Sequence, residues 1–239
     1  MSTKPVLSLE NVCISVGDKE ICHDVSLTIN EGECHILIGP NGSGKSSLLC
    51  GLMGIKPFEI TGGTALLGTT NVADLEVDER ARCGLGLAFQ RPPSIPGVSV
   101  RRLAQAIGAT NRLDTTAKQL GVEYLVDRDV NCGFSGGEVK RWEVAKLGLH
   151  DPTMCLLDEP ESGVDLQQVN VVSSAINHLL QTPTAAGQKR AVLAITHTGF
   201  ILDGVDAVMG HLMVDGRIVE SAPPRELFDR IRKDGYVAA

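Results

Sequence analysis

The chain has 239 residues, enough to bury a full core in one large domain with a smaller appendage, or in two domains. Hydrophobic residues make up 43% and charged residues 21%, as in ordinary globular proteins, while 3% aromatics leaves little material for base-stacking surfaces. A formal charge of -7 with no Lys/Arg-rich run argues against nucleic acid as a partner; no stretch approaches a membrane span and MSTKPVLSLENV lacks a secretion-signal core, so a cytoplasmic protein without a direct membrane span is expected.

In chain order, VLSLENVCISV and ICHDVSLTI alternate apolar and polar residues as half-buried strands do. GECHILIG reads as a short buried strand running into a glycine loop, GKSSLLCGLMG as the helix after it, and GLGLAFQ as another buried strand ending at Gln90. From Pro92 to about Asp151 the pattern turns helical, in VRRLAQAIGA, TTAKQLGVEYL and GGEVKRWEVAKLGLH, and is expected to be an inserted helical subdomain. Strand and helix then alternate: MCLLD, LQQVNVVSSAINHLLQ, RAVLAIT, a short helix near Phe200, the hairpin AVMGHLMVDGRIVE and a final helix PRELFDRIRKDG. Such alternation implies a mostly parallel sheet covered on both faces, with ligands at the C-terminal ends of its strands. The seven cysteines, at 13, 22, 34, 50, 83, 132 and 155, are odd in number and never spaced C-x-x-C, so they are expected to be small buried side chains.

The strongest local signal is GPNGSGKS, comprising Gly39, Pro40, Asn41, Gly42, Ser43, Gly44, Lys45 and Ser46, with Ser47 following in the predicted helix. It fits G-x-x-x-x-G-K-S between a predicted strand and helix, where backbone N–H groups and a helix N-terminus cradle phosphate. Lys45 would reach the β and γ phosphates and Ser46 would take one magnesium position. In MCLLDEP, Asp158 would hold magnesium, through water, and Glu159 would stand beside the attacking water as base or orienter. His197 ends a further strand, placed to bond the γ-phosphate. FSGGEVKR reads within one chain as a capping box, Ser135 paired with Glu138. The box leaves Gly136 and Gly137 unexplained, since each costs about 1 kcal/mol against alanine inside a helix; their placement suits close approach by the γ-phosphate of a nucleotide bound to a second copy.

The order of these motifs, with Gln90 on a strand after the glycine loop and SGVD after LLDEPE, resembles the ATP-binding cassette (ABC) ATPases over nearly the whole chain. The resemblance implies an α/β P-loop fold, a mostly parallel sheet with an N-terminal antiparallel β-subdomain and an inserted helical subdomain. It implies one cassette over 1-239, with 1-90 and 152-239 as nucleotide-binding core and 91-151 as signature subdomain. It also implies ATP and Mg2+ as cofactors, Gln90 as a further magnesium and water ligand, and hydrolysis by Glu159, His197, Gln90 and Lys45. Two copies would pair transiently head to tail around ATP, with Ser135, Gly136, Gly137 and Glu138 acting in trans and Ser162, Gly163, Val164 and Asp165 crossing the interface. Among cassettes, ISVGDKEI, FQRPPSIPGVS, VNCGFSGGEVKR, LDEPESGVD and DGY resemble the ATPases of the SUF iron–sulfur cluster assembly system. That implies a SufB-like partner, with or without a SufD-like one; the alternative is the ATPase subunit of an ABC membrane transporter.

Overall fold

The structure, a computed structural model, describes residues 4–236. In chain order its strands and helices are β1 (Pro5–Val16), β2 (Lys19–Asn30), β3 (Cys34–Ile38), α1 (Lys45–Met53), β4 (Phe58–Leu67), β5 (Thr70–Asn71), α2 (Val77–Arg82), β6 (Leu85–Ala88), β7 (Ile95–Ser99), α3 (Val100–Ala106), α4 (Thr110–Gln119), β8 (Asp129–Val130), α5 (Gly136–His150), β9 (Met154–Asp158), α6 (Leu166–Gln181), β10 (Ala191–Ile195), β11 (Met209–Val214), β12 (Arg217–Ala222) and α7 (Pro224–Asp234). A 3₁₀ turn at Phe200–Asp203 follows β10.

Six strands form the central sheet in the order β12-β11-β3-β10-β9-β6, parallel throughout except for β12 at one edge. The inner strands β3, β10 and β9 are short, apolar and almost wholly buried on both faces, the pattern a covered parallel sheet requires. Their side chains divide with the period of two. Cys34, Ile36, Ile38, Cys155, Leu157, Val192 and Ala194 point into one core, which also takes Trp142 of α5, Ile176 of α6 and Ile231 of α7. Leu37, Met154, Leu156, Leu193 and Ile195 point into the other, completed by Leu49 and Leu52 of α1 and by the antiparallel sheet β2-β1-β4-β5. The β-branched and aliphatic alternation legible in β1 and β2 therefore buries one face of that smaller sheet against the parallel one.

A polar chain crosses the first strands of this assembly. Ser221 of β12 lies 2.7 Å from His211 Nδ1, His211 Nε2 lies 2.9 Å from His35 Nδ1, and His35 Nε2 lies 3.2 Å from Glu33. Burial lowers the pKa of both imidazoles, and His211 falls to about 4.

Three expectations need correction. The strand expected to reach Gln90 stops at Ala88, leaving Phe89 and Gln90 in the turn beyond it. The segment 92–151 is not wholly helical, because β7 and β8 pair antiparallel inside it. The cysteines are uniformly free, but only Cys22, Cys34 and Cys155 are buried, and Cys83 is exposed at the end of α2.

Candidate active site

Four parallel neighbours, β3, β10, β9 and β6, deliver their C-terminal ends to one side of the sheet, and each is followed by a residue singled out in the sequence. After β3 comes the glycine loop. Gly44 takes the left-handed conformation (φ 98°) that turns the loop into α1, and no side chain caps the first turn of that helix. Ser43 and Lys45 are buried beneath the loop. The Lys45 ammonium donates to Gly39 O (3.0 Å), Pro40 O (2.8 Å) and Ser43 Oγ (3.3 Å), all neutral oxygens. Burial pushes its pKa down, which is the cost of an ammonium without a contacting anion. A buried cation beside an uncapped helix N-terminus fits a phosphate group.

Ser46 Oγ donates to Asp158 Oδ1 at 3.0 Å, joining α1 to the end of β9. Burial raises the Asp158 pKa, so this carboxylate stands in a place that favours neutralisation. A hydroxyl and a carboxylate so close supply hard oxygen donors of the kind magnesium prefers. The next residue, Glu159, has a left-handed backbone (φ 46°). Gln90 Nε2 donates to Glu159 Oε2, and His197 Nε2, following β10, lies 2.5 Å from Glu159 Oε1. Both oxygens of the carboxylate are thus held by side chains from two other strand ends. Pro40, Asn41, Gln90, Glu159 and His197 line one side-by-side cavity of about 480 Å³.

The other expected residues lie elsewhere in the same chain. Ser135 caps α5, accepting from Glu138 N (3.3 Å), while Glu138 Oε2 accepts from Ser135 N (2.7 Å); this is the reciprocal box the sequence suggests. The Ser135 N–H holds the Glu138 carboxyl below its usual range. Gly136 approaches the carbonyl of Gly163, which would be 3.1 Å from an added Cβ; an added Cβ on Gly137 would stand 2.5 Å from Gln168 Oε1. The close approach those glycines allow is therefore made in part by this chain's own Gly163 and by Gln168 of α6, where the sequence pattern assigned it wholly to another molecule. Gly163 has φ 75°, Ser162 N donates to Glu159 O (3.1 Å), and Asp165 caps α6 by accepting from Gln168 N (2.9 Å). Ser162 to Asp165 line an open cavity of about 760 Å³ with exposed Leu166 and Phe200. None of Ser135 to Glu138 lines the cavity at Glu159.

Sequence reading missed three buried charges. Lys140, one and a half turns into α5, donates to Gln90 O (2.8 Å) and Glu159 O (2.9 Å). Burial lowers its pKa, and the carboxylates around it act in the opposite direction. Glu143, one turn on, accepts from Phe89 N (3.0 Å) and pairs with Lys146. Glu161 is buried against Thr196, and burial raises its pKa. The signal was an i, i+3 pair, Lys140 and Glu143, on the face of α5 that also carries Val144 and Leu147 into the core; charges on such a face need partners.

Residues 22–162 match the ABC transporter family, so the chain belongs to the ATP-binding cassette family. Like that family it is an ATP-hydrolysing enzyme that uses ATP and Mg2+. Within the family the chain is SufC-like. It is 35% identical over 97% of its length to the probable ATP-dependent transporter SufC of Escherichia coli, covering 97% of that protein. It is 35% identical to the probable ATP-dependent transporter ycf16 of Cyanophora paradoxa over 99% of this chain and 96% of that one. A probable ABC transporter ATP-binding protein of Streptococcus pyogenes is 39% identical, over 97% of this chain and 93% of its own. A solved nucleotide-free cassette from an ABC transporter shares the fold at TM-score 0.77 and 23% identity, with 96% of each chain covered. No helix among the described residues is long and apolar enough to cross a membrane.

Proposed function

We propose that the chain is the cytoplasmic ATPase subunit of an iron–sulfur cluster assembly complex, using ATP-driven head-to-tail pairing of two copies to rearrange a SufB-like scaffold, alone or with a SufD-like subunit. The observation that carries this reading is the full-length similarity to SufC, joined to the motif-flanking stretches FQRPPSIPGVS and VNCGFSGGEVKR. The second reading, a transporter's ATPase subunit, is favoured by the name of the streptococcal relative.

In this reading residues 1-90 and 152-239 form the nucleotide-binding core and 91-151 the signature subdomain. The backbone N–H groups of the Gly39–Ser47 loop, Pro40 having none, and the Lys45 ammonium bind the phosphates, releasing Lys45 from its own loop carbonyls. Ser46, Asp158 and Gln90 would hold magnesium, Asp158 through water, and the ion when bound would offset negative charge on the phosphates. Glu159 takes the proton from the attacking water as the bond to the leaving ADP breaks, with His197 on the γ-phosphate. For that, Glu159 has to exchange its contacts with Gln90 and His197 for water. Ser135, Gly136, Gly137 and Glu138 of the second copy complete the site, and Ser162 to Asp165, next to exposed Leu166, cross to it. What supports a site shared between copies is the separation of Ser135 to Glu138 from the Glu159 cavity within one chain.

Purifying the tagged protein from its native cells tests the function. Soluble iron–sulfur scaffold subunits are expected to come with it; recovery of an integral membrane protein in their place overturns the assembly reading and selects the transporter one.

A further inference from the structure

One lining residue of the Glu159 cavity has no part in the reaction just described. Tyr236 reaches that cavity from the other end of the chain and faces Pro40, Asn41, Gln90, Glu159 and His197. It is one of two tyrosines in a chain poor in aromatics. The path that brings it there is fixed. Helix α7 is docked by buried Leu227 and Ile231, and its Phe228 ring packs so closely on Gly199 that an added Cβ there would lie 2.2 Å from it. Gly199 is two residues past His197, so α7 is pressed against the loop that carries the catalytic histidine. The helix then ends at Gly235, whose N–H donates to Ile231 O at 2.9 Å. Gly235 has φ 80° and ψ -168°, a backbone region open to glycine and essentially closed to other residues. This one residue sets the direction in which Tyr236 leaves the helix.

The rest of the lining is an amide, a carboxylate, an imidazole and loop backbone, the groups that a phosphate and a water molecule must meet. An aromatic ring at that place covers them with a surface that offers a phosphate nothing. Among the described residues no hydrogen bond holds the phenol hydroxyl, and Tyr236 is 38% exposed, so the ring is not tied down by a polar contact. We propose that Tyr236 is a gate on the catalytic cavity: its ring occupies the mouth through which the γ-phosphate and then the Ser135–Gly137 turn of a second copy must enter, and it swings out as they do. The second half of this statement rests on the head-to-tail reading above; the first does not.

The full chain is compared with Tyr236→Ala, Tyr236→Phe and Gly235→Ala, none of which alters the core. Association of a fluorescent ATP analogue with magnesium is followed by stopped flow, and KM and kcat are measured separately. Tyr236→Ala is expected to speed association and tighten apparent affinity about tenfold, the factor that follows if the open arrangement makes up about a tenth of the free molecules. Tyr236→Phe keeps the ring and is expected to match the parent. Gly235→Ala keeps the tyrosine but misdirects it, and is expected to behave as Tyr236→Ala. Unchanged association in both Tyr236→Ala and Gly235→Ala overturns the gate, as does a Tyr236→Phe protein that behaves like the alanine variant. Sedimentation of Glu159→Gln with and without Tyr236→Ala, in ATP, tests the second half: the double variant is expected to pair at lower protein concentration. If Glu159→Gln does not pair at all in ATP, the head-to-tail reading fails, while the association rates still decide the gate.

Discussion

Glu159 carries its carboxylate on left-handed backbone, which costs a residue with a Cβ about 1–2 kcal/mol. The surrounding contacts maintain that conformation: Gln90 and His197 hold the side chain and Lys140 holds the carbonyl. Glu159→Gln keeps the shape and removes the base. Turnover of ATP is expected to fall by at least about 10²-fold while ATP-bound pairs accumulate on sedimentation; undiminished turnover removes Glu159 from the proton transfer. Lys140→Met leaves Gln90 O and Glu159 O without this donor, and an unfolding free energy lower by about 1–3 kcal/mol is expected from urea titration, with a loss of turnover. The difference between these two residues is a lesson in what a sequence displays. Glu159, Lys45, Asp158 and His197 are legible because loop chemistry or a strand end announces them. Lys140 is not, since its partners are backbone carbonyls 50 and 19 positions away, and backbone has no spelling.

At the scale of elements, the parallel strands and long helices follow their apolar periods closely, and the glycine loop falls where strand gives way to helix. What the period misses is β4, β5, β7, β8 and the short α2. In β4 the run FEITGGTALL has two consecutive glycines and no clean alternation, so its pairing with β1 is set by the partner strand. In β7 the prolines read as a stiff exit, yet IPGVS pairs with two residues at Asp129 and Val130, an edge where Pro96 forfeits no needed ladder bond. That exit is also tied down by side chains: Asn131 Nδ2 donates to Pro93 O (3.0 Å), Ser94 Oγ donates to Asn131 O (2.8 Å), and Gly97 N donates to Asp129 Oδ2 (2.8 Å). Asn131 lies four residues before the Ser135 cap. These ties, with Lys140 and Glu143, are the contacts through which a displacement at Gln90 would reach the turn at Ser135. Asn131→Ala removes the tie to Pro93. Nucleotide affinity is expected to stay within about twofold; if the proposed scaffold stimulates hydrolysis, that stimulation is expected to fall by about 0.5–2 kcal/mol of coupling, measured as the ratio of stimulated to basal turnover. Full stimulation in the variant removes this route.

At the scale of the molecule, two cores lie back to back across one sheet, and the polar chain from Ser221 through His211 and His35 to Glu33 runs through the assembly near its edge. His211 in the folded protein has a pKa of about 4, below the value of 6.5 it has when exposed. Between those values the unfolded chain binds more protons, so the contribution of this group to stability is intact above about pH 6.5 and is lost as pH falls toward 4. From pH 7 to 5 the loss is about 2 kcal/mol from this residue. His211→Leu, measured by urea unfolding at both pH values, is expected to be less stable at pH 7 but to lose less on acidification; an equal loss in both proteins assigns the pH dependence to other groups. No reading of the sequence finds this polar chain, because it joins Glu33 and His35 at β3 to the β11–β12 hairpin, where His211 lies 176 positions after His35.

The ties from Asn131 to Pro93 and Ser94 carry one more consequence. A rigid linkage between a nucleotide sensor and an outer surface has no preferred direction. If ATP binding changes how tightly residues around 92–131 hold another protein, the grip of that protein must change ATP affinity by the same factor. The nucleotide dissociation constant of this chain is then a reporter: titrating a candidate partner while watching ATP let go, or hold on, measures how strongly its binding at that surface is coupled to the nucleotide.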